Sequence, residues 1–266
     1  MDWNSVALIT PPSLPMMCTI YGGPKVGKTQ LEATFPGLIV MAWEHPGPTI
    51  EGRTDIKMTP IVQSFEDGMG FLRWLYNNPG NFKTLGIDTI TAMDKVFQSE
   101  IIAIPLKSGK KAKGLGDALD GWGAGVKALA EMHSKFMNAC VALRRDKGFN
   151  IVFVAHAEVG KFTPPDSETY NVYRLDMHED SECHYVNNSD LIGFIDQKTM
   201  TREGEDGKVK VASTDQRILT CKSSAAHVSG NRYGITQDIV LEKGKNPLEQ
   251  YLKADRVSAK IEEGEF

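Results

Sequence analysis

One octapeptide limits what this chain can be: Gly22-Gly23-Pro24-Lys25-Val26-Gly27-Lys28-Thr29 fits the pattern G-x-x-x-x-G-K-[ST]. The glycines let the backbone close around an anion with its N–H groups turned inward. A helix predicted to open near Lys28 adds its positive end to the same anion. Lys28 is then placed to reach β- and γ-phosphates, and the Thr29 hydroxyl to ligate Mg²⁺. Gln30 completes the nucleotide contacts, with ATP and Mg²⁺ as the implied pair. The alternative is a chance glycine-rich turn. Against it, the apolar run Met16–Tyr21 before the motif reads as a buried strand.

The rest of the chain supplies a scaffold of the matching kind. Leu38–Trp43, Phe82–Ile87 and Ile151–Ala155 are three more apolar runs, with helical patterns over Lys28 to Thr34 and Val126 to Arg145. Ser64, with Asp67 three residues on, reads as the N-cap of a further helix that Pro79-Gly80-Asn81 ends. Strands apolar on both faces and alternating with helices predict an α/β fold, a mainly parallel sheet flanked by helices. Residues 191–196, 208–213 and 217–223 alternate more cleanly and predict an antiparallel C-terminal edge. The expected organisation is an arm over 1–15, one domain over 16–252 and a charged tail over 253–266. Two stretches read as loops: the Gly- and Lys-rich residues 104–125, expected to be mobile, and the long polar segment 157–189.

Composition excludes several classes. The net charge of −4 means that nucleic-acid binding, if present, has to come from a local basic patch. The four cysteines form no C-x-x-C pair, which suits a reducing, cytoplasmic setting. The first residues lack the basic and apolar regions of a signal peptide, and no window of 18 residues is apolar enough to span a membrane.

A phosphate site of this kind needs a second metal ligand and a way to activate water. Asp88, at the end of the third apolar run, is the candidate ligand; capping the helix that follows is the other reading. Glu44 leaves the second run on the edge where phosphates bind, so its carboxylate is placed to take a proton from water, unless it is only a solvated turn residue. His156 ends the fourth run on that edge, as a γ-phosphate contact or as a structural histidine.

Together these residues resemble the RecA-type recombinase core. In that family the strand after the P-loop helix ends in the catalytic acid, the next in the metal-binding Asp, and the one after in a polar γ-phosphate sensor. The resemblance implies those roles for Glu44, Asp88 and His156 in turn. More narrowly, the chain is similar to the compact RecA-like ATPases of bacteriophages that act in single-strand annealing or recombination. Its length, the sensor His156 and Asn231-Arg232-Tyr233-Gly234 carry that likeness, over roughly residues 16–245. The family implies an oligomer, filament or ring, with ATP between subunits and a basic residue reaching a neighbour's γ-phosphate. Arg232 is the first candidate for that catalytic role and Lys222 the second. A bacterial host cytoplasm and a single-strand-binding protein as partner follow from the same likeness.

The family also carries two DNA-binding loops, and both predicted loops have suitable residues. Lys107, Lys110, Lys111 and Lys113 give one a dense positive charge that fits a phosphate backbone, with a solvated linker as the alternative. Lys161 and Phe162, followed by Tyr170, Tyr173 and Arg174, give the other aromatics interleaved with cations. His178, Cys183 and His184 match no usual zinc spacing. The expected function is an ATPase, stimulated by single-stranded DNA, that promotes recombination or strand annealing. A ring helicase or translocase motor, an ATP-dependent switch that recruits a protein, and a small-molecule kinase are the rivals.

Overall fold

The computed structural model describes residues 13–45, 47–166, 168–203 and 209–252, with the backbone alone over 199–203 and 209–213. The predicted tail over 253–266, and residues 1–12 of the predicted arm, lie outside the described residues.

The elements follow in the order β1 (Met17–Gly22), α1 (Lys28–Glu32), β2 (Leu38–Ala42), β3 (Lys57–Met58), α2 (Phe65–Asn77), β4 (Thr84–Asp88), α3 (Ile90–Ala103) and α4 (Ala124–Lys147). After them come β5 (Asn150–Phe162), β6 (Tyr170–Leu175), α5 (Glu179–Asn188), β7 (Leu191–Glu203), β8 (Val209–Thr220), β9 (Gly230–Asn231) and β10 (Ile239–Val240). The main sheet runs β3-β2-β4-β5-β1-β7-β8-β10. From β3 to β7 every neighbouring pair is parallel, while β8 and β10 add the antiparallel edge.

The strands are apolar on both faces because both faces are covered. In β1, Met17 and Tyr21 join one core while Cys18 and Ile20 join the other. In β5, Ile151, Phe153 and Ala155 face the first core and Val152 and Val154 the second. This is the period of two expected of a pleated strand. The first core is closed by Leu72 and Leu75 of α2, Met93 and Phe97 of α3, and Leu129 and Phe136 of α4. The second is closed by Leu31 of α1 with Phe35, Leu219, Ile235 and Leu248. Ser64 caps α2 as its sequence predicts: its Oγ accepts from the Asp67 N–H at 3.1 Å, an interaction worth about 1 kcal/mol.

Three expectations are corrected. The polar segment 157–189 is not a loop. β5 continues past the sheet and pairs with β6 from Ala157↔Leu175 to Phe162↔Tyr170, and α5 follows. Val159, Phe162, Tyr170 and Tyr173 have the strand preference of β-branched and aromatic side chains, which the overall polarity masks. The acidic cluster Glu179, Asp180 and Glu182 is the first turn of α5, where carboxylates complement the helix dipole. Second, 191–196 begins β7 parallel to β1, and only its other side is antiparallel, to β8. Third, the strands expected over 208–213 and 217–223 are not separate among the described residues, because β8 runs unbroken from Val209 to Thr220.

Candidate functional site

Parallel strands bring their C-terminal ends to one edge, and the register sets which residues meet there. Gly22 lies beside His156, and Asp88 lies beside Ala42 on one side and Val154 on the other. The P-loop leaves β1 at this edge. Gly22 has no room for a side chain, since a Cβ would stand 2.3 Å from the Ile195 carbonyl oxygen of β7. Lys25 and Gly27 take left-handed backbone, with φ of 62° and 102°, and this alternation turns successive N–H groups into a concave nest. With α1 only five residues long, the loop's own N–H groups contribute more to an anion site than the helix dipole does.

Lys28 is the hub. Its Nζ donates to the carbonyls of Gly22 at 3.0 Å and Gly23 at 2.7 Å, and stands 3.4 Å from His156 Nδ1. Burial lowers the pKa of its ammonium, against Asp88 and Glu44, which raise it. On the other side of the ring, His156 Nε2 stands 3.0 Å from Glu44 Oε1. An ammonium facing Nδ1 and a carboxylate facing Nε2 fit the neutral ring protonated at Nε2. The His156 backbone N–H donates to Thr91 Oγ1 at 3.0 Å, which ties this point of β5 to the start of α3. The hydrogen bond from His156 holds the Glu44 carboxyl below the usual range, against a smaller upward effect of burial. Glu44 is therefore an ionised base on a half-exposed edge, with Lys28, His156 and Glu44 in one hydrogen-bonded chain.

Thr29 Oγ1 donates to Asp88 Oδ2 at 3.0 Å. Asp88 is buried, and burial pushes its carboxyl up to about 6, with Glu44 adding to the rise and Thr29 opposing it. A hydroxyl and a carboxylate this close are hard oxygen donors that suit Mg²⁺, and a cation between them would hold Asp88 ionised. The residues therefore fit the metal that the sequence implies, with phosphate and water oxygens filling its remaining positions. The competing role for Asp88 goes elsewhere: Thr89 is the N-cap of α3 and accepts from the Ala92 N–H at 3.1 Å. Among the described residues no group of three or more His, Cys, Asp or Glu side chains could hold a metal. His178 instead caps α5.

Glu44, Asp88, His156, Lys28 and Thr29 line one cleft of about 540 Å³. A second cavity of about 360 Å³ adjoins it and shares Gly27, Gln30 and Arg217. Arg217 is the residue that sequence reading missed. Its Nη1 donates to Gln30 Oε1 at 2.8 Å and lies where a Cβ on Gly27 would be, 2.8 Å away. No local motif marks it, because β8 brings it from the far end of the chain.

The remaining candidates lie elsewhere. Arg232 pairs with Asp190 at 3.2 Å, and the Asp190 N–H donates to Met17 at the start of β1. Arg232 therefore sits on the edge opposite its own P-loop. Lys222 pairs with Asp238 at 3.3 Å. Lys107, Lys110, Lys111 and Lys113 occupy the connection between α3 and α4, and Lys161 and Phe162 end β5 at the hairpin tip. There Phe162 packs edge-on against Tyr170 with ring centres 5.6 Å apart.

A protein-family model described as an AAA domain matches residues 14–233. No curated protein matches the chain. Among the described residues no helix is long and apolar enough to cross a membrane.

Proposed function

The chain belongs to this AAA-domain family of P-loop nucleoside triphosphatases, and from that premise we propose that it is an ATPase whose turnover is coupled to single-stranded DNA. The observation that carries the reading is the chain of hydrogen bonds from Lys28 through His156 to Glu44. Glu44 is ionised, half-exposed and oriented by His156, as a base for an attacking water has to be. Lys28 holds the β- and γ-phosphates and also faces His156, so the presence of the γ-phosphate is felt at Glu44 through one imidazole ring. Thr29 and Asp88 would hold Mg²⁺, which when bound would supply positive charge to the phosphate oxygens. Arg217 stands beside Gly27 in cis, and the adjoining cavity, with Leu31, Thr34 and Leu241, takes the nucleoside end.

The coupling to DNA rests on β5. One strand runs from the buried sheet through His156 to Lys161 and Phe162 at the hairpin tip, so a shift at the γ-phosphate has a continuous backbone to act on. The hairpin and the lysine-rich connection form the DNA face, with the recombination or annealing role that the RecA-like order of strand-end residues suggests. Arg232, on the opposite edge, is the candidate to reach a neighbour's γ-phosphate in a head-to-tail assembly, filament or ring, which would part it from Asp190.

The test is ATP hydrolysis with and without a single-stranded oligonucleotide, beside Lys28→Ala and Glu44→Gln. DNA is expected to raise the wild-type rate, and both variants to abolish the raised rate. Turnover blind to DNA would overturn the coupling and leave an ATP-dependent switch.

A further inference from the structure

The connection between α3 and α4 carries a feature that the lysines do not explain. Leu119, Asp120, Gly121, Trp122 and Gly123 take φ values of 57°, 68°, 81°, 55° and 76° in succession. Three of these five residues have side chains, and for them this left-handed backbone is unfavourable. Its effect is to hold Trp122 clear of the protein, with a relative exposure of 104%. Trp43, by contrast, is 3% exposed.

The turn is anchored rather than frayed. Asp120 Oδ1 accepts from the Lys107 N–H at 2.9 Å, and Ala124 and Gly121 donate to the Gly121 and Ala118 carbonyls at 3.0 and 3.1 Å. Ala118 is fully buried, and Gly125 packs where a Cβ would stand 2.3 Å from the Leu115 carbonyl oxygen. The Lys107–Asp120 contact joins the lysine-bearing half of the connection to the tryptophan-bearing half. Lys110, Lys111 and Lys113 are exposed and have no ion pair among the described residues. One anchored connection therefore carries both an indole with its faces free and three ammonium groups that have no ion pair among the described residues.

We infer that Trp122 is a base-stacking anchor for single-stranded nucleic acid, with Lys110, Lys111 and Lys113 on the adjoining phosphates. This rests on the nucleic-acid reading proposed above and names its contact. The ring's surroundings select the ligand. A protein partner would need apolar area around the indole to form a desolvated centre, but Trp122 stands fully exposed between two glycines, in a connection that also carries exposed lysines. Duplex bases offer no free faces, whereas each base of a single strand has one, and its phosphates complement the lysines.

The experiment compares the wild type with Trp122→Ala and Trp122→Phe, titrated with fluorescein-labelled oligo(dT) with an ATP analogue and without it, at several salt concentrations. Protein fluorescence is followed in parallel, and thermal melts check the fold. Trp122→Ala is expected to weaken binding about ten-fold without changing the salt slope. Trp122→Phe should keep most of the affinity, and DNA should quench a part of the wild-type fluorescence that Trp122→Ala lacks. If the wild type binds oligo(dT) and Trp122→Ala binds equally well with the same quenching, the stacking inference falls and the nucleic-acid reading stands. If the wild type binds no oligonucleotide in either state, both fall together.

Discussion

The phosphate edge and the lysine-rich face solve opposite problems. At the edge, Lys28, Thr29, Asp88, Glu44 and His156 all have partners within 3.4 Å, and Lys28 and Asp88 are buried. On the face, Lys110, Lys111 and Lys113 are exposed without ion pairs among the described residues, and Trp122 has its whole ring in solvent. A wired, half-dry site concentrates free energy in a few groups, so that each is needed. An exposed face spreads it over many, so that none is. Under the proposed function, chemistry on a triphosphate uses the first, and holding a flexible polyanion of variable sequence uses the second.

The comparison is tested hardest at Glu44. Glu44→Gln keeps the hydrogen bond to His156 and removes the base, and should lower kcat by about a hundred-fold or more while ATP binding persists. His156→Ala removes one hydrogen bond to a charged group and should lower kcat about ten-fold. The double variant should be no worse than Glu44→Gln alone, because the two side chains act as one unit. The pH profile separates orientation from mere packing. His156 is the largest cause of the low Glu44 pKa, so His156→Ala should move the acid limb of kcat to higher pH. Additive losses with an unmoved acid limb would show that the contact between Glu44 and His156 has no part in turnover.

A smaller effect is expected at Asp88. Burial raises its carboxyl to about 6, and a metal ligand has to be ionised. Apparent Mg²⁺ affinity, measured with a non-hydrolysable ATP analogue, should therefore rise with pH up to about 6 and level off above it. Below that point it should fall by about ten-fold per pH unit, as one proton competes with the metal. The sign for stability without metal is the reverse. An acid whose folded pKa is raised favours the fold while protonated, so its contribution declines as pH rises from near 4 through 6. Asp88→Asn should flatten the Mg²⁺ profile. A profile that stays steep in that variant would place the titrating group elsewhere.

What could be read in the sequence follows the same division. The P-loop is contiguous, and the parallel sheet brings each strand end to one edge, so Asp88, Glu44 and His156 follow from apolar runs and their terminal residues. Arg217 could not be read this way, because its meeting with Gln30 depends on β8 pairing beside β7, 187 residues along the chain. The hairpin was hidden for a different reason. The outer half of β5, from Ala157 on, and β6 are polar overall and lie outside the main sheet, so no apolar run marks them. Thr89 took the capping role that left Asp88 free, a choice between adjacent residues that depends on where β4 stops. At Trp122 the sequence shows an indole between glycines, but its exposure depends on five left-handed residues that no composition reveals.

The smallest effect is expected from single lysines, and it distinguishes a spread face from a hidden hot spot. Removing one phosphate contact to a single strand should reduce the slope of log affinity against log salt by about 0.7. Lys110→Ala and Lys111→Ala should each do this with only a few-fold loss of oligo(dT) affinity at moderate salt, and their losses should add. Lys161→Ala, on the hairpin, tests whether the two regions meet one strand. If the same oligonucleotide touches both, its slope change should add to that of Lys110→Ala on a long oligonucleotide and vanish on one too short to span them. A single lysine whose loss removes most of the affinity would mean that the face is organised like the phosphate edge, around one needed group. Equal behaviour of long and short oligonucleotides would mean that the hairpin, despite its strand-long connection to His156, does not touch the bound strand. The coupling between turnover and DNA would then have to run through α3, whose Thr91 accepts from the His156 backbone.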